Sequence, residues 1–332
     1  MSNVIFSRAP VRICDIGGWT DTWFYPEGAV LNFCVGLYTS VKIYPLSFDK
    51  VQITSKNLNI KTEIKNLNKI VYDGRLDLLK AAIKRMNVKE GMDILVKSDV
   101  PPGCGTGTSA SVAVALIAAL ARYLKINLEP DDIADLAHKL EVEELELESG
   151  VQDQYAAANG GINFMEIAYP SVKITPLNLN KKKISDIEDN MILVFLDSRS
   201  SSDMHKAVIN NYKKGDNSTL TSFEIMKNCA YDMKKTLFSG DLLDIGRIMN
   251  RNWKAQKKLH NLMSNRIIEK AEKLANNNGA LGFKLNGAGG GGSASILADK
   301  GKTSFLKKKL VQKGFQILPF KFDFLGVQTW TA

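Results

Sequence analysis

Four short stretches of this 332-residue chain combine glycines, hydroxyls and carboxylates at spacings that could do chemistry. The densest is Pro101-Pro102-Gly103-Cys104-Gly105-Thr106-Gly107-Thr108-Ser109-Ala110-Ser111. Glycine lets the main chain approach a ligand closely, and the first amides of a following helix point outward unpaired, so Gly103 to Ser109 suit a phosphate. The stretch is not the lysine-bearing phosphate loop, because no lysine occurs between Val100 and Ala121. A plain helix start with Thr108 or Ser109 as N-cap would explain the turn alone. Four hydroxyls among three glycines favour the phosphate. A second cluster, Gly287-Ala288-Gly289-Gly290-Gly291-Gly292, fits G-x-G-x-x-G in form. It is followed by the strand-like Ser293–Leu297, and no acid between Lys300 and Lys321 could hold a ribose, which disfavours a dinucleotide fold. Close approach of main chain to a ligand or to another loop explains these glycines better. The remaining two stretches run from Arg12 to Asp21 and from Ser149 to Tyr155. Taken singly, Asp21 and Asp153 would be caps or surface acids. Beside two phosphate-type loops they become candidates for gripping and deprotonating a hydroxyl.

These stretches need elements to hold them. Ala29–Tyr44 is rich in aromatic and β-branched residues, Val51–Thr54 follows, and Met92, Ile94 and Val96 alternate, all of which predicts sheet. Leu78, Leu79, Ala82, Ile83 and Met86 share one helical face. Ser109–Leu124 is apolar nearly all round, as a buried helix would be, and a third helix starts after Pro130. Met191–Leu196 reads as strand, residues 204–278 as mostly helix, and Leu281–Leu285 and Ser293–Leu297 as strands again. The composition shifts near residue 185, so the expectation is an α+β protein with a β-rich half, 1–185, and a more helical half, 186–332.

Composition narrows the functional classes. Apolar residues make up 45% and charged residues 24%, an ordinary globular balance that excludes disorder, collagen and coiled coil. No run approaches the roughly 20 apolar residues of a membrane span, and the N-terminal segment has no apolar core ahead of its arginines. A soluble cytoplasmic protein without a membrane partner is expected. The net charge of +9 allows an anionic partner. The lysines are dispersed apart from the triplets 181–183 and 307–309, and no nucleic-acid-binding signature accompanies them, so no nucleic-acid partner is expected. Cys14, Cys34, Cys104 and Cys229 form no paired motif and read as buried small hydrophobes. His138, His205 and His260 have no metal-ligand spacing and receive no role.

Taken in order, the four stretches resemble the GHMP kinase superfamily nearly end to end. Pro101–Ala110 is similar to its second motif, P-x-x-x-G-L-G-S-S-A, with Thr106 and Thr108 in place of Leu and Ser. Gly287–Gly292 resembles the third motif and Arg12–Asp21 the first. Gly150-Val151-Gln152-Asp153-Gln154-Tyr155-Ala156, Ser198-Arg199-Ser200-Ser201-Ser202, Trp253 and Lys284–Gly289 resemble the branch of sugar kinases acting on heptose 7-phosphate and fucose. Trp19 follows the fucokinase pattern rather than the glycine usual among heptose kinases.

The resemblance implies a two-domain fold: an N-terminal ATP-binding domain like ribosomal protein S5 and a C-terminal α/β-sandwich domain. It implies ATP and Mg2+ as cofactors, with phosphoryl transfer to the anomeric hydroxyl of a sugar or sugar phosphate. D-glycero-D-manno-heptose 7-phosphate, giving the 1,7-bisphosphate, is the first acceptor. A fucose-like or other free sugar is the alternative, and a non-catalytic sugar sensor the reading from another class. By motif position Pro101, Gly103, Gly105, Thr106, Gly107, Thr108, Ser109, Gly289 and Gly290 would hold the nucleotide. Asp153 would take the proton beside Arg12, while Gly18, Trp19, Asp21 and Gly287 would meet the sugar. Ser109 and Glu141 would ligate magnesium, with Glu143 and Glu144 close enough to compete for that register. A phosphate on the acceptor would need a cation, Arg199 first and Lys257 or Lys258 second. A homo-oligomer remains open.

Overall fold

The computed structural model describes residues 4–47, 50–198 and 202–332. Its first part is built on long strands β1 (Ile5–Ile16) and β2 (Glu27–Pro45), followed by β3 (Val51–Ser55), β4 (Ile60–Ile64), α1 (Asp77–Arg85) and β5 (Met92–Ser98). Then come α2 (Thr108–Leu124), α3 (Pro130–Lys139) with a π-helical turn at Leu140–Glu144, α4 (Gln152–Asn159), β6 (Ile162–Ala168) and β7 (Ser171–Pro176). The second part begins with α5 (Lys181–Asn190) and β8 (Met191–Asp197). Four helices follow, α6 (Ser202–Lys213), α7 (Asn217–Ser239), α8 (Leu242–Lys257) and α9 (Arg266–Asn276). It closes with β9 (Ala280–Leu285), β10 (Gly292–Ala298), α10 (Thr303–Gln312), β11 (Gln316–Ile317) and β12 (Gln328–Thr331).

Two sheets organise these elements. The larger runs β12-β1-β2-β5-β3-β4, and the 19 residues of β2 let its first half pair with β6 and its second half with β5. The smaller is antiparallel in the order β11-β8-β10-β9. Helix α5 spans the boundary drawn at 185/186, and β12 returns to the first sheet, where it pairs antiparallel with β1.

Helix α2 shows why the phosphate-type loop has a fixed address. Residues 113–121 are all buried, as the uninterrupted apolar run requires, so the helix is held on every side and its first turn cannot wander. Truncating a side chain such as Leu116 to alanine would cost about 2–5 kcal/mol. All four cysteines are buried and unpaired. Among the described residues no helix is long and apolar enough to cross a membrane.

Candidate active site

Strand β1 brings the first functional groups into place by an irregularity. Its pairing with β2 slips between Ile13 and Ile16, and Cys14 takes a left-handed φ of 51°. In a regular strand residues three apart point to opposite faces; the extra residue of this bulge turns both Arg12 and Asp15 onto the wall of one cleft. That cleft, of about 650 Å3, is bounded by β1, the amino end of α2, the turn after α3, the start of α4 and the loop after β9.

The Arg12 guanidinium is buried and forks onto Asp153, with Nε donating to Oδ1 at 2.8 Å and Nη2 to Oδ2 at 3.0 Å. Its Nη1 donates to the carbonyl of Gly105 at 2.5 Å. Burial works against the arginine's charge, but the carboxylates of Asp153 and Asp15 more than reverse this and raise its pKa. Asp153 lies in the first turn of α4, and its side chain stays 27% exposed, open to the cleft. It also lies against Gly107, where a Cβ would be 3.1 Å from the carboxylate.

Gly107 is the N-cap of α2 at φ 72°; the first helical bond runs from the Ser111 amide to its carbonyl, and no side chain caps the turn. Neither Thr108 nor Ser109 is an N-cap, and Thr108, Ser109 and Ala110 line the cleft. Gly103, Gly105 and Gly287 also stand on its wall. Thr106 is buried instead: its carbonyl accepts from the Arg12 amide at 3.1 Å and its hydroxyl meets that of Thr108 at 3.3 Å. Neither Pro101 nor Thr106 is among the residues lining the cleft.

The second glycine cluster earns its composition against the first. A Cβ on Gly287 would fall 2.8 Å from the carbonyl oxygen of Gly105, and one on Gly105 would fall 2.8 Å from that of Asn286. The two loops therefore touch main chain to main chain. Gly289 and Gly290 turn away to Met263 and Leu262, with the Gly290 amide donating to the Met263 carbonyl at 3.0 Å, and do not line the cleft.

Asp21 is buried and accepts from the amide of Gln152 at 3.1 Å and its Nε2 at 3.3 Å. Burial and then repulsion from Asp153 push its carboxyl up to about 6. Gly150 permits this, since a Cβ there would come within 2.1 Å of the Asp21 carboxylate. Gly18 likewise leaves room for Asp15, whose carboxylate a Cβ would meet at 2.6 Å. Trp19 donates to the Ala288 carbonyl at 3.1 Å and packs on His205 with ring centroids 5.0 Å apart.

Glu141 projects from the π-helical turn. It accepts from Ser109 Oγ at 3.3 Å, from Gln154 Nε2 at 2.8 Å and from Ser149 Oγ. Burial pushes its carboxyl up to about 7 despite these donors. Glu143 and Glu144 instead pair with Arg85 and Lys84 of α1, each at 2.7 Å. Of the three, Glu141 is the acid that faces Ser109.

The sequence reasoning left out Asp15, Ser149, Gln152, Gln154, His205 and Lys206, all of which line the cleft. Gln152 and Gln154 flank Asp153 in a quoted motif, and their amides were the available signal. Arg199 lies outside the described residues. Lys257 is occupied by Glu272 at 3.0 Å, and neither it nor Lys258 lines the cleft.

A helix amino terminus and a seam of glycine main chain, set against an arginine-clamped aspartate between two sheets, define a phosphotransferase acting on an alcohol. Residues 76–161 match the model of the GHMP kinases N terminal domain, and residues 233–316 that of the GHMP kinases C terminal domain. The chain is 32% identical over 339 residues to a D-glycero-alpha-D-manno-heptose 7-phosphate kinase of Campylobacter jejuni, covering 98% of each. A solved D-glycero-D-manno-heptose 1-phosphate kinase from Bacteroides thetaiotaomicron shares the fold at TM-score 0.82 and 24% identity over 99% of both chains. A second solved structure, from Campylobacter jejuni, superposes at TM-score 0.81 with 29% identity over 99% of this chain and 98% of that one. The chain belongs to the GHMP kinase family.

Proposed function

We propose that this chain transfers the γ-phosphoryl group of ATP to the anomeric hydroxyl of a sugar, with D-glycero-D-manno-heptose 7-phosphate as the acceptor and the 1,7-bisphosphate as product. The observation that carries it is the contact between Asp153 and Gly107, which sets a clamped carboxylate beside the last glycine of the loop at the start of α2. Asp153 takes the proton of the acceptor hydroxyl at its exposed edge, while Arg12 fixes the plane of that carboxylate. Asp21, with Gln152 fixing both its oxygens, orients the sugar by accepting from its hydroxyls. The main chain of Gly103 to Ala110, with Gly287 across the seam, holds the phosphates of ATP.

The residues beside the amino end of α2 fit Mg2+. Among the described residues the buried Glu141 carboxylate is held by neutral donors, the hydroxyls of Ser109 and Ser149 and the amide of Gln154. With the Ser109 hydroxyl it offers the hard oxygen donors this ion prefers. When bound there, Mg2+ would neutralise charge on the triphosphate. Thr108, Gly289 and Gly290 remain nucleotide-binding proposals by motif position.

A free hexose is the second reading, favoured by the few cations that line the cleft among the described residues. Among the described residues lining the cleft, Arg12 is committed to Asp153, and Lys206 is the other basic side chain beside His205. ATP turnover against a panel of free and phosphorylated sugars separates the two. Lys206→Ala and Arg199→Ala should lower kcat/KM about tenfold or more for heptose 7-phosphate and leave the unphosphorylated heptose unaffected. Equal rates with both sugars in wild type would remove the heptose 7-phosphate reading.

A further inference from the structure

Behind the Arg12–Asp153 pair lie two more opposite charges, Asp15 on the bulge of β1 and Lys284 on β9, each 1% exposed. Lys284 Nζ stands 3.5 Å from Asp15 Oδ1 and also donates to the Leu285 carbonyl at 2.5 Å. The same Oδ1 accepts from the Gly287 amide at 3.0 Å and lies 4.0 Å from Arg12 Nη1. One oxygen is thus the junction of three groups: a lysine of the second sheet, the main chain of the glycine seam, and the arginine that grips Asp153.

Stability does not explain this arrangement. Two charges withdrawn from water at a separation as long as 3.5 Å are, as a rule, no better than a well-packed apolar pair of the same volume. The location is informative instead. Asp15 sits 4.0 Å from the one guanidinium nitrogen that Asp153 does not use, the nitrogen that donates to the Gly105 carbonyl, and it accepts from the amide of Gly287, whose Cβ-free backbone touches Gly105. Lys284 supplies the countercharge that lets a further carboxylate sit beside Asp153 and Asp21 without leaving three acids facing a single arginine.

We propose that Asp15 and Lys284 are a positioning pair for phosphoryl transfer, locking the Arg12 guanidinium and the Gly287 main chain together so that Asp153 and the phosphate-holding loop keep one spacing. The proposal rests on Asp153 being the proton acceptor. A misplacement of about 1 Å between reacting groups can cost on the order of a hundredfold in rate, so a tether of this kind acts on kcat.

The test is the double variant Asp15→Asn/Lys284→Met, which removes both charges, keeps an acceptor for the Gly287 amide and leaves no buried charge unpaired. Its kcat should fall about ten- to hundredfold while the KM values for ATP and sugar stay within about threefold and the melting temperature stays near wild type. Lys284→Met alone should lose more, because it strands Asp15. A double variant with wild-type kcat overturns the proposal. So does one that melts well below wild type, or whose kcat and both KM values worsen together, since either assigns the pair to holding the fold. Asp153→Asn measured alongside separates the two levels. If it turns over normally the reading of Asp153 fails, whereas if it is inactive and the double variant is not, only the positioning pair is lost.

Discussion

Two carboxylates of the cleft are held by opposite means. Asp153 is forked onto a buried guanidinium at 2.8 and 3.0 Å, so its orientation and charge balance are set by the protein alone. Glu141 has, among the described residues, the hydroxyls of Ser109 and Ser149 and the amide of Gln154, and burial drives its carboxyl up to about 7. Three neutral donors do not replace a cation. Asp153 is paired with a cation as folded; Glu141, among the described residues, is held by neutral donors. In the function proposed above, Asp153 serves as the base and Glu141 gains its countercharge with the nucleotide.

The largest expected break in this contrast is Asp153→Asn, which should lower kcat about 10²–10⁴-fold while ATP binding persists, as steady-state rates and nucleotide titration would show. Next comes Glu141→Gln, which keeps the shape but not the charge. It should raise the Mg2+ concentration for half-maximal rate about 10–100-fold with ATP-free sugar binding unchanged, and an unaltered Mg2+ requirement would place the ion elsewhere. Gly287→Ala tests the seam between the two glycine loops. Its φ of 69° and the 2.8 Å approach to Gly105 should make alanine cost about 1–3 kcal/mol, read as a lower melting temperature, together with a KM for ATP raised about tenfold.

The smallest effect concerns Asp21, whose folded pKa of about 6 stands above the 3.8 of a free aspartate. The folded state therefore binds its proton more tightly, so the wild type carries a penalty at neutral pH that disappears as pH falls from about 6 towards 4. Asp21→Asn should gain about 1 kcal/mol of stability at pH 7, net of its altered bond to Gln152, and lose that advantage by pH 4, while sugar affinity drops. Denaturant titration at the two pH values checks the sign.

What the sequence showed and what it hid divide by distance along the chain. The loop at 103–109 and the start of α4 were legible because the chemistry is local: glycines, hydroxyls and an acid within one turn of a helix. The all-round apolar pattern of α2 likewise announced burial. The pairing of Asp15 with Lys284 joins residues 269 apart, and Asn252 holds the Gly17 amide from 235 residues away. No spacing rule reaches that far. The bulge at Cys14 was invisible because it changes the direction of a side chain, not the hydrophobic pattern. Glu141 is the acid that motif position prefers, but a π-helical turn departs from the helical period and leaves Glu143 and Glu144 in competition; its bond from Ser109 and their ion pairs to α1 separate them. β12, with four residues, is too short to carry an alternation that stands out.

Because the contact between the two glycine loops is backbone on backbone, it leaves no room for a side chain at Gly105 or Gly287. A search for a new acceptor is thereby steered away from the seam and towards His205 and Lys206, which line the cleft from α6.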